Sequence, residues 1–337
     1  MNPLRVGFVG AGFIAGVHAS ILARDPRAIV SHVFDPDASK SALFSVQHAA
    51  TAVPSLDDLI GSVQAVYICN PNAFHADVAV RALEAGLQVF SEKPMATSLD
   101  DARRVLRAAH SARAVYQAGF NRRFAGVYLE LKRRLDAGDL VPTSVLLKMN
   151  RGELQRPVWT GDPAISGGFL YETPVHMLDL ARFLFGDPVD LVVRARATVY
   201  NQLDDFSMLF TFPSGMTAVF ASSAHTTWLA PFERVEVYGD HRAVVTEEMD
   251  RITFADGVGR PSRVIDFAQR PFEERWGYVE EGRLFLDAVF GDAPPAVSAE
   301  DAFATTALVA SCYERADDSP AAHHRTLSEV TDQTAVS

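Results

Sequence analysis

Two short runs of this sequence could hold a reacting oxygen and move its proton. The first is Glu92-Lys93-Pro94, directly after the apolar stretch Leu87 to Phe90. A lysine just past a strand can orient a hydroxyl group and share its proton. The second is Glu172-Thr173-Pro174-Val175-His176-Met177-Leu178-Asp179. Histidine suits alcohol oxidation, because its ordinary pKa lies near neutrality and it can accept the hydroxyl proton as a hydride departs. A carboxylate beside the ring would orient it and stabilise the imidazolium. His176 and Asp179 stand three apart, and Glu172 precedes His176 by four. On one helix all three would share a face, opposite Met177, Leu180, Ala181 and Leu184. Thr173 and Pro174 also suit a helix cap and first position, which would leave Glu172 ahead of the helix. Spacing alone leaves other readings open: a surface lysine, a solvated polar helix face, or a metal held by His176 and Asp179.

A partner for redox chemistry is written near the N-terminus. Gly10-Ala11-Gly12-Phe13-Ile14-Ala15 is G-x-G-x-x-A between a strand-like run and a helical one. Gly10 allows the tight turn, Gly12 lets backbone approach a pyrophosphate, and Ala15 lets the helix pack against the strand. The helix N-terminus then offers unpaired N–H groups to phosphate. Asp35 ends the next strand, 20 residues beyond Ala15, where a carboxylate can accept from both ribose hydroxyls. An empty strand–turn–helix with a surface aspartate is the alternative. Pro36 and Asp37 follow with no arginine, so a 2′-phosphate would meet negative charge, and NAD is expected over NADP.

These residues need a scaffold. Short apolar runs at Val6 to Val9, Ile29 to Asp35, Ala65 to Cys69, Leu87 to Phe90 and Val115 to Gly119 read as strands. Helical stretches separate them: Ile14 to Ala23, the Ala76, Ala79, Val80, Leu83 face stopped by Gly86, and the Ala102, Val105, Leu106, Ala109 face begun at Ser98. This alternation predicts a parallel sheet covered on both sides, with a domain boundary near residue 120. Beyond it we expect a helix around Val127 to Leu135, a strand at Ser144 to Asn150, a loop from Trp159 to Gly168 and a helix over Pro174 to Phe185. Strand-like runs follow at 190–199, 206–212, 217–221, 234–238 and 243–246, with Pro213-Ser214-Gly215 as a hairpin turn. Strands without intervening helices imply a mostly antiparallel sheet. Two helices, about 280–290 and 299–315, close the fold. The expected division is 1–120 for dinucleotide, 121–318 for substrate and oligomerisation, and 319–337 as a polar tail.

Composition narrows the partners. Against 31 basic residues stand 42 acidic ones, a formal net charge of −11 that repels phosphate backbones, so nucleic acid and anionic membranes are not expected. The two cysteines, Cys69 and Cys312, form no C-x-x-C pattern and fit a reduced, cytoplasmic setting. Pro3 and Leu4 lead straight into a strand-like run, so no leader peptide is expected. The weakly polar stretch Val6 to Ala23 is punctuated by glycines and does not read as a membrane span.

The chain resembles the glucose–fructose oxidoreductase/inositol dehydrogenase (Gfo/Idh/MocA) family over nearly its whole length. The resemblance rests on Arg5 to Gly12, Asn70-Pro71-Asn72-Ala73-Phe74-His75, Ala82 to Gly86, Glu92-Lys93-Pro94, Gly119-Phe120-Asn121-Arg122-Arg123-Phe124, Gly167-Gly168 and the His-x-x-Asp run ending at Leu184-Phe185-Gly186. It implies an α/β fold: an N-terminal Rossmann domain and a C-terminal α/β domain with a large open, mostly antiparallel sheet that forms homodimers or homotetramers. It implies an NAD-dependent dehydrogenase acting on a carbinol or keto carbon of a sugar, inositol or related polyol, without a metal. Lys93 would contact substrate and nicotinamide, and His176 would be the general acid/base. Gly10, Gly12, Phe13, Ile14, Ala15, Asp35, Asn70, Pro71, Asn72, His75 and Glu92 would serve the cofactor. Asn121, Arg122, Trp159 and Tyr278 would join Lys93, Glu172 and His176 at the substrate. The family usually has aspartate where this chain has Glu172, one methylene longer, and a small residue where it has Pro174. An NAD-using glycosidase and a non-catalytic NAD- or sugar-sensing regulator share the fold; the first would release free sugar without accumulating NADH, and the second would give no turnover.

Overall fold

The computed structural model describes residues 2–229 and 231–317, so the expected tail from residue 319 lies outside the described residues. Six strands form the first sheet: β1 (Leu4–Val9), β2 (Ala28–Phe34), β3 (Thr51–Ala52), β4 (Ala65–Ile68), β5 (Gln88–Glu92) and β6 (Tyr116–Gly119). All pair in parallel, in the order β3-β2-β1-β4-β5-β6. Helices α1 (Phe13–Leu22), α2 (Ala38–His48), α3 (Leu56–Ile60), α4 (His75–Glu84) and α5 (Leu99–Ser111) make the crossovers. Every residue of β4 and β6 is buried, as a sheet covered on both faces requires. Ser98 caps α5 by accepting from the Asp101 N–H at 3.1 Å. Strand order changes direction between β1 and β4, so the chain ends of β1, β4 and β5 open on one crevice.

The second sheet has eight strands: β7 (Ser144–Met149), β8 (Asp190–Arg196), β9 (Asp205–Thr211), β10 (Thr217–Ser223), β11 (Glu233–Gly239), β12 (Arg242–Glu247), β13 (Arg251–Asp256) and β14 (Arg263–Asp266). Their order is β14-β13-β12-β11-β7-β10-β9-β8; only β7 and β10 run parallel. β9 and β10 alternate buried and exposed residues, so one face joins the core and the other faces outward. The sequence pattern missed β3, β13 and β14. β3 is two residues long, β14 is a four-residue edge strand with charged ends, and β13, the strand beside it, buries only Ile252 and Phe254.

The remaining helices are α6 (Gly126–Asp136), α7 (Pro163–Ser166), α8 (Phe169–Glu172), α9 (Val175–Phe185), α10 (Phe272–Arg275), α11 (Tyr278–Phe290) and α12 (Ala299–Asp317). The loop expected between Trp159 and Gly168 therefore contains a short helix, α7, capped by Asp162. The last two long helices return to the first sheet. Phe285 of α11 stands edge-on to Tyr67 and Phe90, at 5.4 and 5.6 Å between ring centres. Ahead of α12, the Val297 carbonyl accepts from Ala118 N–H at 3.1 Å. Although the chain leaves the first sheet at Gly119, its C-terminal third thus helps to bury that sheet.

A buried ion pair ties the turn after β6 to α9. Asp179 accepts from Arg123 through both carboxylate oxygens, each at 2.8 Å, and from Thr305 at 2.9 Å. Both partners are buried. Removing one member of such a pair leaves an uncompensated charge. We expect Asp179→Ala to cost about 3–5 kcal/mol of stability, seen as a lower thermal unfolding midpoint; an unchanged midpoint would contradict this role.

Candidate active site

The glycine turn after β1 is shaped by close approach. Gly10 has φ +92°, and a Cβ there would lie 2.7 Å from the Asn70 nitrogen and the Cys69 oxygen. Only glycine tolerates both the angle and the backbone contact. Gly12 caps α1 and its Cβ would meet nothing within 4 Å, so it faces open space. The first turn of α1 has no acidic residue and no side-chain cap. Its N–H groups are therefore available to an anion. Ala15 is fully buried against the strands, whereas Phe13 is 79 % exposed. Asp35 accepts from Ala11 N–H and Asp37 N–H, each at 2.9 Å, which fixes its carboxylate beside the turn. Across the crevice, the side-chain oxygen of Asn70 is buried without a partner among the described residues. An uncapped helix end, an open glycine and an orphaned acceptor fit a dinucleotide with phosphates and ribose hydroxyls.

Beside this cradle lies a cavity of about 330 Å³. It is lined by Phe13 and Ile14 of the cradle, by Asn70, Asn72, His75, Glu92 and Lys93 at the ends of β4 and β5, and by Arg151, Trp159, Glu172, His176 and Tyr278 from the second half. Pro71 starts the one-turn helix Asn72–Phe74. Asn72 donates to the Ser166 carbonyl at 2.9 Å, and the His75 ring sits between the carbonyls of Pro94 and Asn70, 2.7 Å from each. These two residues brace the loops that border the cavity.

Lys93 Nζ donates to the main-chain carbonyl of Glu172 at 2.6 Å. Burial lowers the lysine pKa, Glu172 and Glu92 oppose that, and Arg122 and Arg151 reinforce it. Burial also pushes His176 well below its ordinary value, helped by the positive charges of Arg122 and Lys93. The ring is therefore neutral near pH 7. Its Nδ1 is buried without a partner among the described residues, and Phe120 stands edge-on 6.1 Å from the ring centre. Among the described residues no carboxylate orients it. Two readings that the spacing left open are decided here. Glu172 does not share a helix face with His176: it ends α8, one turn before α9 begins. Its carboxylate accepts from Arg151 Nη1 at 2.6 Å and from the Thr173 hydroxyl. Asp179 lies on the same helix as His176, but its carboxylate is engaged by Arg123 and Thr305, which removes it as a partner in a metal site.

Asn121 and Arg122, expected at the substrate, stand behind the cavity wall. Asn121 donates to the Trp276 carbonyl at 2.8 Å and accepts from Arg122 at 3.1 Å. Arg122 pairs with buried Glu233 at 3.2 Å and lies 4.9 Å from the Trp276 ring centre. Its reach to the site is electrostatic, through His176 and Lys93.

Sequence reasoning missed three groups. Arg151 follows β7 and lines the cavity; its place just past a strand end was the available signal. His18, three residues after Ala15 on the sheet side of α1, accompanies buried Glu92 at 2.8 Å. Burial raises the Glu92 pKa, but His18 and Lys93 outweigh it and leave the carboxyl below its ordinary value. Behind them, Glu281 of α11 has both carboxylate oxygens buried without a partner among the described residues. Burial, reinforced by Glu92, raises its pKa well above the ordinary value, so it keeps its proton.

Comparison with known proteins agrees with this arrangement. Residues 4–120 match the family model described as "Oxidoreductase family, NAD-binding Rossmann fold", and residues 128–245 match "GFO/IDH/MocA C-terminal domain". The chain is 28 % identical to an inositol 2-dehydrogenase of Rhizobium meliloti, covering 90 % of this chain and 94 % of that protein. It is 30 % identical to inositol 2-dehydrogenase 3 of Saccharopolyspora erythraea, covering 92 % of each. Among solved structures it resembles GenD2 from gentamicin A biosynthesis in complex with NAD, with a TM-score of 0.82 at 25 % identity over 94 % of this chain and 95 % of that one. With both halves of the chain matched, and a cofactor cradle opening on a cavity that holds a lysine and a histidine, this protein belongs to the Gfo/Idh/MocA family of NAD-binding oxidoreductases.

Proposed function

We propose that the protein is an NAD-dependent dehydrogenase that oxidises a carbinol carbon of a sugar, inositol or related polyol. The observation that carries this reading is that Lys93 and His176 line one cavity with Phe13 and Ile14 of the dinucleotide cradle. Gly10, Gly12 and the α1 N-terminus would hold the pyrophosphate, and Asp35 the adenosine ribose. When bound there, NAD supplies the hydride acceptor. Lys93, steadied by the Glu172 carbonyl, keeps N–H groups free to hold the substrate oxygen. His176, kept neutral by burial and nearby cations, accepts the hydroxyl proton. Glu172 neutralises Arg151 and positions Lys93 through its main chain, and Trp159 and Tyr278 wall the substrate.

We also infer that the cofactor is NAD, because Asp35 would face a 2′-phosphate with like charge. The outer face of the second sheet supports a homo-oligomer. Val192, Leu209, Val219 and Leu146 are exposed and lie in register across β8, β9, β10 and β7. Such an apolar row is suited to a second copy of the chain.

Lys93→Ala and His176→Ala should each lower turnover by at least about a hundredfold, with NADH formation as the readout on a sugar and polyol panel. Near-normal turnover in either variant removes that residue from the mechanism. Protonation of His176 blocks proton acceptance, so kcat/KM for oxidation should fall as pH drops through a midpoint below 6.5. The alkaline limb, where Lys93 loses its charge, should begin below 10.5. Wild-type kcat/KM should favour NAD over NADP, and Asp35→Ser should narrow that ratio; a native preference for NADP would overturn the cofactor assignment. Val219→Asp should shift the mass measured by sedimentation toward the monomer, and a wild-type protein already monomeric would exclude the oligomer.

A further inference from the structure

Arg151, which lines the cavity, also borders an exposed tryptophan outside it. Trp228 lies in the loop after β10 and is 57 % exposed, unusual for the residue with the largest apolar surface. Its position is nonetheless fixed. A Cβ at Gly152 would lie 2.6 to 2.7 Å from three atoms of the indole, so the ring rests on the Gly152 backbone and only glycine leaves room for it. The loop is pinned to β7's end by Thr226, whose N–H and hydroxyl both donate to the Arg151 carbonyl, at 3.3 and 3.1 Å. The Arg151 guanidinium lies 5.6 Å from the Trp228 ring centre. Its Nη1 reaches the Glu172 carboxylate at 2.6 Å, and the Glu172 carbonyl receives Lys93 Nζ at 2.6 Å. The indole is therefore one arginine away from the catalytic wall, packed on Gly152 and still more than half exposed. Val158, exposed beside cavity-lining Trp159, adds to the apolar surface of this part of the molecule.

We propose that Trp228 and Arg151 form an outer subsite for a second sugar ring, joined glycosidically to the ring whose carbinol meets Lys93 and His176. This rests on the dehydrogenase reading of the cavity. A pyranose has an apolar C–H face bounded by hydroxyls, and it matches an exposed aromatic face flanked by a donor. Arg151 is suited to that donor role. Glu172, Thr173 and the carbonyls of Glu153 and Arg156 take four of its five N–H groups, which fixes the guanidinium and leaves one N–H for a sugar hydroxyl. The occupant is thus a glycoside, and a monosaccharide fills only the inner part of the site.

The test uses the full-length protein with a hexose and a disaccharide bearing the same hexose at its oxidised end. Trp228→Ala should lower the ratio of kcat/KM for disaccharide over monosaccharide about tenfold, mainly through the disaccharide KM, and Trp228→Phe should restore most of it. Tryptophan fluorescence gives a second readout, since Trp228 is one of only three tryptophans. The disaccharide should perturb the emission of NAD-loaded wild type more than the hexose does, and Trp228→Phe should remove that difference. Equal losses on both sugars, no loss on either, or a Trp228 effect confined to nucleotide-linked sugars would overturn the subsite. Trp228-dependent disaccharide binding without NADH formation would keep the subsite and overturn the dehydrogenase reading.

Discussion

A buried ammonium must be given partners, and much of the cleft is arranged around supplying them to Lys93. The side chain leaves the end of β5 and crosses to the second half of the molecule, where the Glu172 carbonyl receives it. Burial works against its charge while the carboxylates of Glu172 and Glu92 support it. Those carboxylates are themselves buried and need partners of their own: Arg151 pairs with Glu172, and the His18 ring hydrogen-bonds Glu92. Charge is thus brought into the cleft in matched sets, which is the condition for burying it without unfolding the site.

This pairing explains how His176 comes to be neutral and unsupported. Glu172 is drawn to Arg151 and Asp179 to Arg123, so neither carboxylate is left to stabilise an imidazolium. The positive charges of Arg122 and Lys93 then act on a desolvated ring and hold its pKa down. A base that is neutral at working pH can accept a proton. With no orienting carboxylate among the described residues, ring geometry falls to packing, with Phe120 edge-on to the imidazole.

The same logic links the two sheets. The turn Asn121–Phe124 sends Arg122 to Glu233 of β11 and Arg123 to Asp179 of α9, so the link between the sheets is anchored by two buried ion pairs. Gly277, with φ +88° and a Cβ position 2.3 Å from the Asn121 carbonyl, lets the start of α11 pass against that turn. From there α11 carries Tyr278 to the cavity and Phe285 to the floor of the cofactor sheet. A shift in the C-terminal half would therefore be felt at both ends of the crevice.

The sequence by itself determined the elements whose signals are local. The glycine turn, the Ser98 cap, the period-two strands of the second sheet and the positions of Lys93 and His176 beyond strand and helix starts all follow from spacing, because backbone sterics and amphipathic burial act over a few residues. What tertiary structure decided is which charge meets which. Glu172 and Asp179 were near His176 in sequence, yet their partners Arg151 and Arg123 come from 21 and 56 residues away. The return of α11 to the first sheet was likewise hidden, since it is stabilised by a segment distant in the chain, and the short edge strand β14 carries little apolar signal of its own. Electrostatic pairing in a buried cleft is a property of the assembled fold, and no local pattern of residue types encodes it.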